Sequence, residues 1–504
     1  MRAQWKGSVK GVDPNTVYVA ISHSPLVSWS YHTPNTRGTV IMPRQGSQQA
    51  PQELAAVDLK RLAGLRQFIQ PEQIEQALRD TGRTTNRSDC LLTHRVMLWV
   101  VLAMGLFTDV PLREVFRHAA QLPAQTRLPG RAALCRARRR LGPAPVRRLF
   151  QEVVQPLARS DRPGGHYRGL RLVGIDGTVL DVPDTPANAR AFGRPKGGRG
   201  EGAFPQVRKL SLVELGTHAE LGLAIKPCCR GEVSMVEGLI GYLCEGMLVL
   251  CDRNFFSYRF WSRLRQKNVE ALFRLKTNLI LHPDKELSDG SFLSKVYPSP
   301  YDRERDRGGI VVRVIRYTLD DPNRVGHGET HTLLTTLLDP IQDPATELIV
   351  LYHERWEQEL VFDEQKTHQA PRVPGKEAQI RSETPAGVIQ ELYAISLSHY
   401  VVRAFMTEAA ATVEIDPDRL SFVAALRILK LRLPECPNTG PAETTRWYQQ
   451  VLEEIAVEKL PTRQNRVNPR VVKRKMSKFG KKRPAHRGTP PLKRKFRDII
   501  VLRS

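Results

Sequence analysis

Between Leu54 and Ala158 apolar residues return every three or four positions, in segments such as PEQIEQALRD and PLREVFRHAAQ, the latter with Pro111 at a first helical position. That period predicts helices with one buried stripe each. The run VMLWVVLAMGLF, from Val96 to Phe107, is apolar on every side and predicts a core helix; it is well short of the roughly 20 residues a bilayer requires. Past His166 the pattern changes to strands: GLRLVGI, KLSLVEL and ELGLAIKP are short β-rich runs divided by Gly, Pro and charge. GEVSMVEGLIGYLCEG then reads as helix, GMLVLCD as strand, FFSYRFWSRLRQK as helix and VEALFRLK as strand. This order predicts an α/β fold, a mixed sheet with helices on its faces.

From 277 to 345 the chain is punctuated by Pro and Gly around strand-like pieces such as IVVRVIRYTL and HTLLTTLL, a β-rich insertion expected to return to the sheet's edge. A long helix is predicted from about Pro344 to His368 and another from Pro385 to about Ala411. The expected division is a disordered leader over 1–53, an all-α domain over 54–160, a core built from 165–276 and 346–412, the insertion over 277–345, and a C-terminal region over 413–504. No solenoid repeat interrupts it.

Charge sharpens this picture. Lys and Arg number 77 against 52 Asp and Glu, a formal net charge of +25, which points to a polyanionic partner. Residues 463–504 hold sixteen of those cations against the single acid Asp498, a composition that disfavours independent folding. A second cluster, RAALCRARRRLGPAPVRRLF, carries Arg131, Arg136, Arg138, Arg139, Arg140, Arg147 and Arg148 with no acid among them, which favours phosphate contact over a merely solvated face. The N-terminus lacks the compact apolar segment of a secretory signal, so the cytoplasm is the expected location and no membrane partner is expected. Seven cysteines form no CxxC pair and read as reduced, mostly buried thiols. His327 and His331 have zinc-like spacing, but no Cys or second His pair accompanies them, so they read as ordinary residues.

Three carboxylates fall where a sheet-based site needs them. Asp176 ends GLRLVGI and Asp252 ends GMLVLC, and active sites of open α/β sheets gather at the carboxyl ends of strands. In ELIVLYHERWEQELVFDEQKTH, Tyr352, Arg355, Glu359 and Lys366 lie at about 0°, −60°, −20° and −40° on an ideal helix, one narrow stripe. A carboxylate flanked by two cations and a phenol suits joint binding of a metal and a phosphodiester.

The spacing Y-x2-R-x3-E-x6-K, together with VGIDGTVLDVPDTPANARAFG, CDRNFFSY and ERWEQELVFDEQKTH, resembles the signature of insertion-sequence transposases of the IS-four group, over about Leu54 to Ser504. The resemblance implies a ribonuclease-H-like core interrupted by a β-rich insertion, and two Mg²⁺ ions, replaceable by Mn²⁺, held by Asp176, Asp252 and Glu359. It further implies DNA contacts by Tyr352, Arg355 and Lys366, terminal inverted repeats and target DNA as partners, a homodimer on paired ends, and association with the nucleoid. The helical domain would bind DNA through Arg131, Arg136, Arg138, Arg139 and Arg140. An inactive or domesticated DNA-binding derivative is the alternative. The insertion has no Trp to support a flipped base, and Tyr297, Tyr301 and Tyr317 read as sheet or loop aromatics.

Overall fold

The computed structural model describes residues 59–84, 90–120, 127–161, 164–197, 200–276, 279, 281–323, 327–370, 380–437, 440–461 and 494–503. The leader over 1–53 and the basic stretch over 463–493 lie outside them. Five helices come first: α1 (Pro71–Asp80), α2 (His94–Leu106), α3 (Leu112–Ala119), α4 (Arg131–Leu141) and α5 (Ala144–Val153). α2 begins where Thr93 Oγ1 accepts the Val96 N–H, and its residues from Val96 to Leu106 are all buried, as its uniform hydrophobicity predicts. Pro111, expected as the first helical residue, sits instead at the N-cap of α3, one position before its first residue Leu112.

The sheet region contains β1 (His166–Tyr167), β2 (Leu170–Asp181), α6 (Pro186–Phe192), β3 (Lys196–Gly197), β4 (Gly200–Glu201), β5 (Gln206–Glu214) and β6 (Glu220–Pro227). α7 (Glu232–Met235), β7 (Met247–Cys251), α8 (Tyr258–Gln266) and β8 (Glu270–Arg274) follow. The segment expected as one helix from Gly231 to Gly246 is instead α7 plus two single 3-10 turns, since Gly238 and Gly241 interrupt it. Next come β9 (Lys285–Glu286), β10 (Phe292–Val296), α9 (Pro300–Glu304), β11 (Ile310–Leu319) and β12 (His331–Thr335). The chain continues through α10 (Ala345–His353), α11 (Glu357–Asp363), α12 (Pro385–Thr412), α13 (Phe422–Arg432), α14 (Pro441–Val457) and β13 (Ile500–Arg503).

One sheet of eleven strands runs β6-β5-β2-β7-β8-β12-β11-β10-β9, with β1 on β2 and β13 on β11. β2, β7 and β8 are parallel, while β5 and β6 run antiparallel. β12 joins β8 antiparallel, so the insertion's strands extend the sheet. The last residues depart from expectation: rather than remaining a bare basic tail, Ile500–Arg503 pair with Leu319–Arg316, and Phe496 stacks on His353 at 4.3 Å. The alternation IVLR suffices for an edge strand once a partner is present.

The helix expected over 344–368 is not uniform. α10 passes through a 3-10 turn, Glu354–Trp356, into α11 and then a π-helical segment, Glu364–Gln369; π segments mark functional sites more often than chance. α12, 28 residues long, is buried along most of its length and packs against α2, α5, α13 and α14. At its crossing with α2, a Cβ on Gly105 would meet the Ala394 carbonyl oxygen at 2.1 Å. Gln369 Nε2 donates to the carbonyls of both Gly105 and Ile395 at 2.9 Å, bolting the end of the π segment to that crossing. Gly105→Ala is therefore expected to destabilise the fold by about 3 kcal/mol, as overpacking against backbone does; urea unfolding at pH 7 measures it. Among the described residues no helix is long and apolar enough to cross a membrane.

Candidate active site

β2 and β7 are neighbours, and their register ends with Ile175 opposite Cys251. Asp176 and Asp252 therefore lie side by side where the β2–β7 pairing ends; Asp252 follows the last residue of β7, whereas β2 continues past Asp176 to Asp181, so Asp176 does not end its strand as expected. Each carboxylate is turned by the chain itself: Asp176 Oδ1 accepts the Gly177 N–H at 2.8 Å and Asp252 Oδ1 that of Arg253.

Arg355 links them to the helix. Its Nη1 lies 3.8 Å from Asp176 Oδ2 and its Nη2 3.9 Å from Glu359 Oε1, with the side chain 11% exposed. Burial alone would weaken the guanidinium as a base, but Tyr352, Asp176, Asp252 and Glu359 together outweigh it, so its pKa is raised. Asp176 is pushed up to about 6, chiefly by burial; the Gly177 N–H and Arg355 pull it down, while Glu232 and Glu359 raise it further. All three sequence-chosen carboxylates thus act on one buried cation.

The two remaining stripe residues face the protein. Tyr352 is 9% exposed and donates its hydroxyl to the Cys251 carbonyl at 3.2 Å, and burial raises its pKa. The phenol expected to contact DNA thus seats α10 on the strand end that carries Asp252. Lys366 Nζ donates to Thr178 Oγ1 at 2.9 Å and the Val179 carbonyl at 3.1 Å, fastening the π segment to β2 just past Asp176.

Glu232 was not found by sequence reading. Arg208 Nη1 holds it at 2.6 Å, and its Oε1 would be 2.6 Å from a Cβ on Gly177. A fourth acid therefore stands beside Asp176, and any side chain at 177 would have to displace the Glu232 carboxylate. Nothing in its spacing marks it, since α7 is four residues long and has no period.

Elsewhere the expectations divide. Arg131, Arg136, Arg139 and Arg140 are exposed on α4, and Arg131 and Arg139 line a cleft of about 1040 Å³ together with Arg113. Arg138, which lines the same cleft, differs from its neighbours in that its guanidinium donates to Gln390, Ser382 and the Gly387 carbonyl at 2.7–3.0 Å, so it also packs α4 on α12. Arg148 pairs with Asp80 and Glu152. His331 bonds Arg274 and His327 the Leu319 carbonyl, two separate structural contacts. Tyr317 is buried, Tyr297 bonds Asp306, and Tyr301, 57% exposed, carries Arg305 over its ring at 3.6 Å. The cysteines are all free thiols, but only Cys228, Cys251 and Cys436 are buried, which corrects the expectation that most are.

Residues 59–151 match the N-terminal region of insertion element 4 transposases, and residues 167–378, which include the three carboxylates, match the transposase DDE domain. The chain is 30% identical over 425 residues to the transposase InsG for insertion sequence element IS4 of Escherichia coli (strain K12), covering 83% of this chain and 93% of that protein. It is also 28% identical over 173 residues to the putative transposase InsZ of the same organism, covering 34% and 57%. Among solved structures, a cryo-EM structure of a piggyBac transposase synaptic complex with hairpin DNA aligns at a TM-score of 0.40 with 12% identity, over 83% of this chain and 88% of that one.

Proposed function

Because the chain belongs to the insertion element 4 family of DDE transposases, we propose that it cuts DNA at the ends of its insertion sequence and transfers the freed 3′-hydroxyl ends into target DNA, with Asp176, Asp252 and Glu359 as its reacting centre. The observation that carries this reading is that Asp176 and Asp252 stand side by side on the neighbouring parallel strands β2 and β7 while Arg355 reaches both Asp176 and Glu359, with Asp252 adding to the negative field around its guanidinium. The strand order β6-β5-β2-β7-β8, antiparallel in its first three members and parallel in its last three, supports a ribonuclease-H-like core.

The donor set is made of carboxylate oxygens only, and burial with neighbouring negative charge raises Asp176. Such a set fits Mg²⁺, with Mn²⁺ as a substitute. Two such ions supply an activated attacking oxygen and a stabilised leaving oxygen for in-line displacement at phosphorus. The protein's own residues set the geometry. Gly177 and Arg253 N–H groups aim the two aspartates, Tyr352 and Lys366 fix the helix against β7 and β2, and Arg355 keeps Glu359 and Asp176 from spreading under mutual repulsion. Arg131, Arg136, Arg139 and Arg140 present exposed charge for phosphate contacts, and two DNA ends call for two centres, hence a homodimer on paired ends.

The test is end joining: a labelled duplex carrying the flanking DNA is incubated with a supercoiled plasmid and Mg²⁺. Covalent attachment of the labelled 3′ end to the plasmid is the expected result. Cleavage without attachment would make the protein a stand-alone nuclease.

The raised Asp176 adds a pH prediction for cation-free protein. With a folded pKa of about 6 against an unfolded value near the ordinary carboxylate's, the folded state holds a proton that the unfolded state releases between about pH 4 and pH 6. Stability is therefore lost as pH rises through that window. Asp176→Asn should be more stable than wild type by about 2 kcal/mol in EDTA at pH 7, a figure already reduced for the partial exposure of the side chain, and equal to it near pH 4. Thermal melts in EDTA at both pH values check this.

A further inference from the structure

The other side of the helix carrying Glu359 faces a second cluster that the proposed reaction does not use. His218 lies in the β5–β6 turn at a positive φ of 59° and is 1% exposed. Its Nε2 is 4.0 Å from Glu357 Oε2 and 3.1 Å from Asp418 Oδ1; Nε2 and Oδ1 are both buried, yet neither is aligned for a hydrogen bond. One donor atom from each of His218, Glu357 and Asp418 lies within 4.8 Å of the others. Donors bound tetrahedrally to a first-row cation are about 3.3 Å apart, so the observed spacings need only small side-chain shifts.

The surroundings are those of a metal-binding imidazole. His218 Nδ1 faces Glu364 Oε1 at 3.3 Å and also meets Arg403 Nη2; donation from Nδ1 to the carboxylate is the pairing that leaves Nε2 to a metal. Glu364 is in turn held by His399 at 2.8 Å and Arg403 Nε at 3.0 Å. Arg403 also approaches Asp418 at 3.5 Å, and the Gly216 N–H donates to Glu357. Three carboxylates, those of Glu357, Glu364 and Asp418, face His218, and Arg403 pairs with two of them. A cavity of about 310 Å³ lined by His218, Asp418, Glu364 and Arg403 gives access from outside.

We propose that His218, Glu357 and Asp418 form a second cation site, distinct from the three active-site carboxylates, for a divalent first-row transition ion of the Zn²⁺ or Mn²⁺ kind. One imidazole with two carboxylates suits such an ion better than Mg²⁺. Asp418 lies in the 3-10 turn Pro417–Arg419, so the ion ties that turn and the β5–β6 turn to the first residue of α11, two positions before Glu359. Its role is to position the catalytic helix.

The test uses full-length protein carrying Asp176→Asn, Asp252→Asn and Glu359→Gln, so that the result does not depend on the active-site reading. This parent is dialysed against Zn²⁺, and separately Mn²⁺, desalted and assayed by mass spectrometry for bound metal. About one ion per chain is expected, falling at least tenfold when His218→Gln or Asp418→Asn is added, as loss of one ligand implies. EDTA should lower the melting temperature of the parent but not that of the Asp418→Asn form. Circular dichroism checks that each added variant is folded, and Asp418→Asn decides the matter should His218→Gln not fold. A parent that retains no ion and whose melting ignores EDTA overturns the proposal and leaves an imidazolium shared among three carboxylates. An ion retained undiminished in the folded variant overturns it as well.

Discussion

Glu359→Gln is expected to lower end cleavage by at least about 10³-fold, some 4 kcal/mol of transition-state stabilisation, while leaving DNA-end binding intact. The substitution keeps the size of the side chain and removes the charge. Glu359 is 39% exposed and sits at 3.9 Å from Arg355, so the fold asks little of it, and circular dichroism and melting should be unchanged. Its neighbour Asp363, four residues along α11 and 58% exposed, is engaged by Thr367 and His368 and makes no ion pair with Arg355. Asp363→Asn is expected to cut within about twofold of wild type, the usual size of a surface charge effect. Mobility shift and cleavage of one labelled duplex, run on all three proteins, separate binding from chemistry. Loss of both in Glu359→Gln would mean that the residue holds DNA and does not act in the reaction.

The second large effect concerns stability. Lys209 is 2% exposed, and its ammonium donates to Glu220 Oε2 at 3.0 Å, Gln365 Oε1 at 2.6 Å and Ser396 Oγ at 3.0 Å. One side chain on β5 thereby joins β6, the π segment and α12. Lys209→Met leaves Glu220, fully buried, without its cation, and an uncompensated buried charge costs about 3–5 kcal/mol. That is a large part of the stability of an ordinary domain, so the variant should unfold at markedly lower urea. Adding Glu220→Leu removes the orphaned charge and should recover much of the loss. A single variant as stable as wild type would show that water reaches this site.

What the sequence disclosed and what it hid follow from the range of the interactions. Asp176 and Asp252 were legible because a strand's side-chain pattern is local, and a carboxylate following each of two apolar runs needs only that the strands be adjacent; that β2 runs on past Asp176 to Asp181 was not, since β5 pairs with that extension. α12 was legible because 28 residues carry a long pattern and Thr384 caps it. The break at Glu354–Trp356 and the π segment were not, since they arise from docking: Lys366 reaches β2 and Gln369 reaches α2, contacts across 188 and 264 positions. Arg138 looked like its neighbours until α12 and the segment before it supplied Gly387, Gln390 and Ser382 as acceptors. Glu232, His218 and Asp418 are unremarkable in their own segments and take on meaning only beside partners on other elements.

The central claim is that Asp176, Asp252 and Glu359 form a metal-dependent DNA-cutting centre. Cleavage of a labelled duplex carrying the DNA that flanks the gene tests it most directly, with Mg²⁺, Mn²⁺ or EDTA, for wild type beside Asp176→Asn and Asp252→Asn. The account predicts cutting at the repeat boundary by wild type alone, with either metal and not in EDTA. Equal cutting by all three proteins, or cutting by wild type in EDTA, would contradict it.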